Sequence, residues 1–471
     1  MHGSDGPVPG ATTSGARSVS IDVFRGLAIF GMMFADVIPW DGLPRWMYHG
    51  QEPPPSHNYN PNVSGITWVD LVFPFFLFSM GVSIPLALNK RLGRRDGMYS
   101  ALVGASWRFA LLVAFAILDE NFRPYSLASE PDRRVWLIGI LGFLLVLPTY
   151  ARLPQKWPRW TKFAIRALGW VEIVLAASVL TFPNREMPGF DIHRSDPIIL
   201  VLATSSLFGT LAWLATRKQP MARLWIMAAI LVFRLSALEP GSWAQQIWDY
   251  EGPAQWFFLP SYLGYLLVLL PDTFVGDLLL QPEPVLAPKE PWPDLAIGLV
   301  AFSTIPACLY ALLERFDSIW LIPLAANVCW VGSMSRHPLV RRLMAWGAAL
   351  LALGLILEPL QGGIKKYHPT LSYVTVTPGL AMLLLAAIVL IEQYRPKSFT
   401  LRFVAKTGAN PLLAYVAITN LVAPLWALTV SHWITENTPG VWLGLGRAVL
   451  ETVVLGLVVN TFTRYKIVMR A

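Results

Sequence analysis

Asp70-Leu71-Val72-Phe73-Pro74-Phe75-Phe76-Leu77-Phe78 opens an apolar run that continues to Leu88 and stops on Asn89-Lys90-Arg91-Leu92-Gly93-Arg94-Arg95. As a helix, a run of this length crosses the ~30 Å hydrocarbon core of a bilayer. Upstream, Val23–Pro39 is a second such run, with Arg25 and Asp36 inside it and Asp22 just before it. Charge in hydrocarbon costs at least roughly 2.5–3.5 kcal/mol per group, so each such residue is a functional candidate by default. The loop between the two runs holds His49 and the segment Glu52-Pro53-Pro54-Pro55-Ser56-His57. Proline fixes φ and removes a donor, so this segment is expected to be extended and stiff.

The rest of the chain repeats the pattern. Hydrophobic residues make up 55% of the 471 residues and charged ones 14%, a balance that no ordinary soluble domain shows. Apolar segments predict an all-α polytopic bundle of about fourteen spans (range ten to fourteen). Helices are required because lipid satisfies no backbone hydrogen bond. The shortest segments, Leu224–Leu238 and Ile319–Ser333, are the natural candidates for re-entrant pieces. Twenty tryptophans suit a protein anchored at two membrane interfaces.

Lys and Arg fall in alternate loops, for example Lys90/Arg91/Arg94/Arg95, Arg217/Lys218/Arg223 and Arg464/Lys466/Arg470. By the positive-inside rule both termini are expected in the cytoplasm and the His49–His57 loop outside. That placement accounts for the net charge of +8 without nucleic acid as a partner. One loop, Gln281–Pro293, breaks the pattern with Glu283 and Glu290 against Lys289. Residues 1–16 read as a disordered cytoplasmic tail without the features of a cleaved signal, and 17–471 as a single membrane domain. Cys308 and Cys329 both lie in apolar runs, so neither a disulfide nor a metal site is expected.

Several polar residues suit chemistry. An imidazole in the first loop can take a proton from an amine or carry an acyl group, which makes His57 and His49 competing candidates. Asp36 can orient a base or an amine, or simply reach water at a helix end. Asp70 suits the cap of the second helix, where a carboxylate meets free N–H groups. Asp22 and Arg25 can pair at the interface, or Arg25 can hold a phosphate through its fork of donors. Lys365 and Lys366 sit in an outer loop against the charge bias, so they are not topology markers. Asn410 can donate to a ligand or cap its helix. Arg108, Arg234 and Glu172 also fall within predicted spans.

Ser18-Val19-Ser20-Ile21-Asp22-Val23-Phe24-Arg25-Gly26 and Gly65-Ile66-Thr67-Trp68-Val69-Asp70-Leu71-Val72-Phe73-Pro74 resemble motifs of the heparan-α-glucosaminide N-acetyltransferase family. The stretch Lys366-Tyr367-His368-Pro369-Thr370-Leu371-Ser372-Tyr373 is similar to that family's Asn-Lys-x-x-Trp-x-x-Ser-Tyr, without its Asn and Trp. Gly408-Ala409-Asn410-Pro411-Leu412-Leu413-Ala414-Tyr415 is similar to its Gly-x-Asn-x-x-x-x-Tyr. The motif cores are thus 18–95 and 360–415. The resemblance implies a multi-pass acyltransferase of a bacterial inner membrane. Acetyl-CoA would be the donor from the cytoplasm, and an amino sugar or related glycan the acceptor on the periplasmic side. The family's catalytic histidine lies shortly before Gly-x-Thr-x-x-Asp, which His57 matches best, in a loop longer than is common. Asp36 stands where the family often has Asn.

On this reading His57 and Asp36 are catalytic, and Arg25, Asn410 and Lys366 face the donor. Asp70, Tyr373 and Lys365 face the acceptor. The lipid bilayer is a partner, a homodimer is an allowed assembly, and no metal is required. A transporter of sugars or lipid-linked precursors is the alternative class, since scattered intramembrane charge fits transport as well. A structural membrane subunit without chemistry is the third.

Overall fold

The computed structural model describes residues 19–93, 96–154, 156–180, 189–250, 252–281, 291–429, 434 and 440–470. The expected tail at 1–16, Arg94 and Arg95, and residues 282–290 of the charge-breaking loop lie outside these. The described residues are helical apart from loops and one isolated bridge, between Ala151 and Met469.

In chain order the helices are α1 (Val19–Val37), α2 (Trp68–Leu92), α3 (Gly97–Phe122), α4 (Pro124–Leu127), α5 (Arg133–Tyr150) and α6 (Arg159–Val179). Next come α7 (Pro197–Thr216), α8 (Ala222–Ser236), α9 (Trp243–Trp248), α10 (Leu266–Leu279), α11 (Pro291–Leu313) and α12 (Ile322–Ser333). The last are α13 (Pro338–Leu357), α14 (Leu371–Tyr394), α15 (Phe399–Gly408), α16 (Pro411–Ala417), α17 (Ala423–Thr429) and α18 (Val441–Arg464). A π-helical turn, Ile418–Val422, joins α16 to α17.

Among the described residues, ten helical segments are long and apolar enough to cross a membrane, counting Pro260–Leu279 and Pro411–Thr429 as one each. The chain is therefore a multi-pass helical membrane protein. Among the described residues each of the fourteen apolar segments read from the sequence contains a helix, but α1, α6, α8 and α12 fall short of the spanning pattern. In α1 the reason is Asp22, Arg25 and Asp36, and in α6 it is Arg159, Lys162, Arg166 and Glu172. α8 and α12 are only 15 and 12 residues long.

α1 is nevertheless central, packed by α2, α14, α15 and α18. It meets α15 backbone to backbone. A Cβ on Gly26 would strike the Val404 carbonyl, and one on Gly408 would strike the Asp22 carbonyl. Only glycine lets two helices approach this closely. α2 begins at Thr67, whose N–H donates to Asp70 Oδ2 at 3.0 Å, one half of a capping box. α14 is the most enclosed helix, with a buried run from Val376 to Ile388 packed between α11, α13 and α2.

Two ends of the bundle can be told apart. At one, Asn410 holds the residues after α18 while Gly408 backs onto the start of α1, so α1 begins where α18 ends. Lys90, Arg91 and Arg470 lie here, and this is the basic end. The other, the loop end, carries the α1–α2 loop, the α13–α14 loop and the turn from α3 into α4.

Candidate active site

A cavity of about 1750 Å³ runs through the bundle beside α1, and all three charged residues of α1 line it. Arg25 and Asp36 are eleven residues apart, about 16 Å along a helix, so the cavity reaches from the basic end towards the loop end. This explains how α1 holds charge at the centre of an apolar bundle: its polar side chains face enclosed space rather than lipid.

At the loop end, His49 is held by the start of α2. Its Nδ1 lies 2.7 Å from Asp70 Oδ1. The second carboxylate oxygen accepts from the N–H groups of Gly50 and Thr67, each at 3.0 Å. Thr67 Oγ1 donates to the Tyr48 carbonyl at 2.7 Å, pinning the loop residue before His49. A Cβ on Gly50 would collide with the Gly65 carbonyl, so the loop can press onto the helix start only with glycine there. Asp70 is thus both helix cap and histidine partner. A proton on Nδ1 would be donated to this acceptor-only carboxylate and would leave the lone pair on Nε2.

Lys366 completes this end. Its Nζ lies 3.2 Å from His49 Nδ1 and 3.7 Å from Asp70 Oδ1. Gln51 fixes the lysine's backbone, its Oε1 accepting from the N–H groups of Lys366 (3.1 Å) and Tyr367 (2.8 Å). Burial lowers the Lys366 pKa, and the Asp70 carboxylate opposes that shift without cancelling it. Burial also raises the Tyr367 phenol. Asp36 keeps exposed surface, which belongs to the cavity, and lies within electrostatic reach of both His49 and Arg123.

His57 is elsewhere. Its ring packs against Trp40 (4.6 Å between centroids) and Tyr48 (4.5 Å), with the side chain 2% exposed. Neither ring nitrogen has a hydrogen-bond partner among the described residues, and Asp41 is 3.9 Å from Nε2. His57 does not line the cavity, whereas His49 does. Spacing before Gly65 favours His57, but the loop folds so that the more distant histidine reaches the carboxylate.

At the basic end, Arg25 donates to Ser83 Oγ (2.9 Å) and Ser79 Oγ (3.3 Å) on α2 and lies 3.6 Å from Asp22. It does not reach out to the lipid interface; it lines the cavity together with Lys90, Arg91, Arg108 and Arg470. This is a concentration of positive charge suited to a polyanion.

Like His57, the sequence candidates Asn410, Tyr373 and Lys365 are placed away from the cavity wall. Asn410 is fully buried and donates to the Ile467 carbonyl (2.9 Å) and Thr463 Oγ1 (3.3 Å), while its Oδ1 accepts from Met469 N–H (3.0 Å). Both ends of its amide are taken, which corrects the expectation that it faces a donor. Asn410→Ala is expected to lower stability by about 1–3 kcal/mol, read as an earlier thermal transition with donor affinity unchanged. Tyr373 is buried and donates to the Asp70 backbone carbonyl at 3.0 Å, so it supports the site from behind. Lys365 lies in the α13–α14 loop with its N–H bonded to Thr370 Oγ1 at 3.1 Å, and its side chain does not line the cavity.

Sequence reading missed one cluster. Arg123, just past α3, is held by Asp119 (2.6 Å), Asp196 (2.8 Å) and Glu120 (3.2 Å), and its guanidinium lies over the Tyr415 ring at 5.8 Å. Arg123 and Tyr415 line the cavity. The i, i+4 spacing of Asp119 and Arg123 was the available signal. Cys308 and Cys329 are both free thiols, the first buried and the second exposed.

The fold and site define a class: a multi-pass helical membrane protein with a cavity beside α1, a histidine–carboxylate pair at one end of it and clustered cations at the other. The family model described as "Domain of unknown function (DUF5009)" matches residues 17–279, and the chain belongs to that family. It is also similar to two curated proteins, each named heparan-alpha-glucosaminide N-acetyltransferase. Identity to the Homo sapiens protein is 32% over 125 residues, 26% of this chain and 17% of that one. Identity to the Mus musculus protein is 31% over 129 residues, 27% and 18% of the respective lengths. The matched segment thus spans less than a fifth of each relative.

Proposed function

We propose that this chain is a transmembrane acetyltransferase. Acetyl-CoA would dock at the basic end, on the cytoplasmic side of a bacterial inner membrane. Its acetyl group would pass to the amine of an amino sugar or related glycan at the His49 end, on the periplasmic side. One observation carries the reading: a single cavity joins a cationic end to a histidine–aspartate base. The phosphates of the donor match Arg25, Lys90, Arg91, Arg108 and Arg470, and its slender pantetheine arm suits a passage beside α1. The positive-inside rule supports this orientation, with the start of α1 and the end of α18 both cytoplasmic.

The chemistry follows from the tautomer. Nε2 of His49 takes a proton from the acceptor nitrogen as that nitrogen attacks the thioester carbonyl. The C–N bond forms, the C–S bond breaks, and the proton held by His49 passes to the leaving thiolate. Amine and thioester become amide and thiol. Asp70 keeps the imidazole in register and stabilises its cation. The Lys366 ammonium offsets the negative charge that develops on the carbonyl oxygen, and Asp36 attracts the amine. Attack by Nε2 itself on the thioester is the covalent variant; an acetylated protein trapped without acceptor would select it.

The test uses purified protein in sealed vesicles, with labelled acetyl-CoA on one side and amino sugars on the other. Labelled product on the acceptor side is the expected result. Uptake of unmodified sugar with no need for acetyl-CoA would replace the reading with a transporter.

A further inference from the structure

The cations of α6 have no part in acetyl transfer. Arg159, Lys162 and Arg166 follow one another at three and four residues, and Gly169 and Ile173 continue the rhythm. Residues so spaced lie on one face of a helix. Gly169 and Ile173 are the buried residues of α6 and show where this face points. A Cβ on Gly169 would fall 2.6 Å from Thr149 Oγ1, and the Trp170 ring lies 6.3 Å from that of Tyr150. The face is thus seated on the last turn of α5. The stretch 159–168, about 15 Å of helix, has no buried residue, and there the same face is basic. The chain leaving α5 is anchored: the Tyr150 carbonyl accepts from Arg470 N–H (3.0 Å), and Arg152 N–H donates to the Val468 carbonyl (2.8 Å). Arg159 and Arg166 are exposed, and among the described residues neither has a carboxylate partner. None of the three cations lines the cavity.

We propose that this basic ladder holds the headgroup of an acidic phospholipid in the leaflet at the basic end of the bundle, with Arg159 and Arg166 on its phosphate and Phe163 against its acyl chains. The inference does not depend on acetyl transfer. Orientation in the membrane asks for Lys and Arg in loops, not for a row of them along one helix face. A guanidinium pairs with a phosphate through two parallel hydrogen bonds, and basic sites between membrane helices take acidic headgroups. A soluble polyanion would meet the same charges, so the aromatic ring decides between the two. Phe163 lies four residues after Arg159 and three before Arg166, beside the ladder, and is 75% exposed. A phenyl ring left in water forgoes roughly 1.5–3 kcal/mol of burial. Acyl chains supply that burial and a free phosphate does not. The charges that keep α6 from reading as a spanning helix thus have a partner in the bilayer itself.

The experiment titrates fluorescent phosphatidylglycerol and fluorescent phosphatidylcholine into the full-length protein in a neutral detergent. Wild type is compared with Arg159→Gln/Arg166→Gln, with Phe163→Ala, and with Arg217→Gln/Lys218→Gln, which removes as much charge from two exposed positions after α7. Phosphatidylglycerol should bind saturably and phosphatidylcholine more weakly. The α6 double variant should weaken phosphatidylglycerol about tenfold, ~1.4 kcal/mol. Phe163→Ala should also weaken it, though no charge is lost, and the Arg217/Lys218 variant should stay near wild type. Every substituted side chain is exposed, so thermal transitions should match wild type and serve as the folding control. Equal binding of the two lipids, equal losses in the two double variants, or unchanged affinity in the α6 double variant would each overturn the proposal. Displacement of the labelled lipid by coenzyme A as readily as by unlabelled phosphatidylglycerol, with no effect of Phe163→Ala, would overturn it in favour of a soluble polyanion.

Discussion

His49→Ala is expected to lower acetyl transfer in sealed vesicles by about a hundredfold or more, since a general base supplies roughly 10²–10⁴ in rate. His57→Phe, which keeps the packing against Trp40 and Tyr48, is expected to remain near wild type. The contrast is the informative part, because both histidines sit in one loop and both precede the same helix. Thermal transitions of the two variants serve as the folding control. Full activity in His49→Ala together with loss in His57→Phe would hand the proton transfer back to His57.

The second large effect concerns the partner of that histidine. Asp70→Asn retains a carbonyl oxygen that can still accept from Thr67 N–H, so the α2 cap persists. What disappears is the anion that holds the His49 proton on Nδ1. A fall in kcat of about 10²–10⁴ is expected, by analogy with the loss of the orienting aspartate in serine hydrolases, with KM for acetyl-CoA unchanged. The variant should also show a displaced pH profile. Asp70 opposes the burial that lowers the Lys366 pKa, so its removal lowers that pKa further. Lys366 then loses its charge at a lower pH, and the alkaline limb of the profile moves down. Wild-type turnover in Asp70→Asn would remove the dyad from the mechanism.

The helices were legible because membrane insertion writes them into composition: long apolar runs can only be helices in lipid. The importance of α1 was legible for the same reason, since three charged residues in one apolar run demand enclosed polar space. Which histidine faces that space was not. The choice depends on how Gly50 packs against Gly65 within the α1–α2 loop, a tertiary event with no periodic signature. Arg123 and Asp196 are separated by 73 positions and meet only because α3 packs against α7. Asn410 illustrates the reverse error. A polar residue at a helix start can bind a ligand or its own chain with equal economy, and here residues 463–469 claim it.

The contact between α1 and α15 bears on the choice between enzyme and carrier. A carrier that alternates between two openings must rock one group of helices against another across its binding site. Where Gly26 rests on the Val404 carbonyl and Gly408 on that of Asp22, there is no side-chain layer to slide or re-interdigitate. The rod that bears Arg25 and Asp36 sits directly on its neighbour at the Arg25 end, and the interval between those two residues is set by the one helix that carries both. A fixed interval suits a donor of fixed reach, delivered to the same point at every turnover.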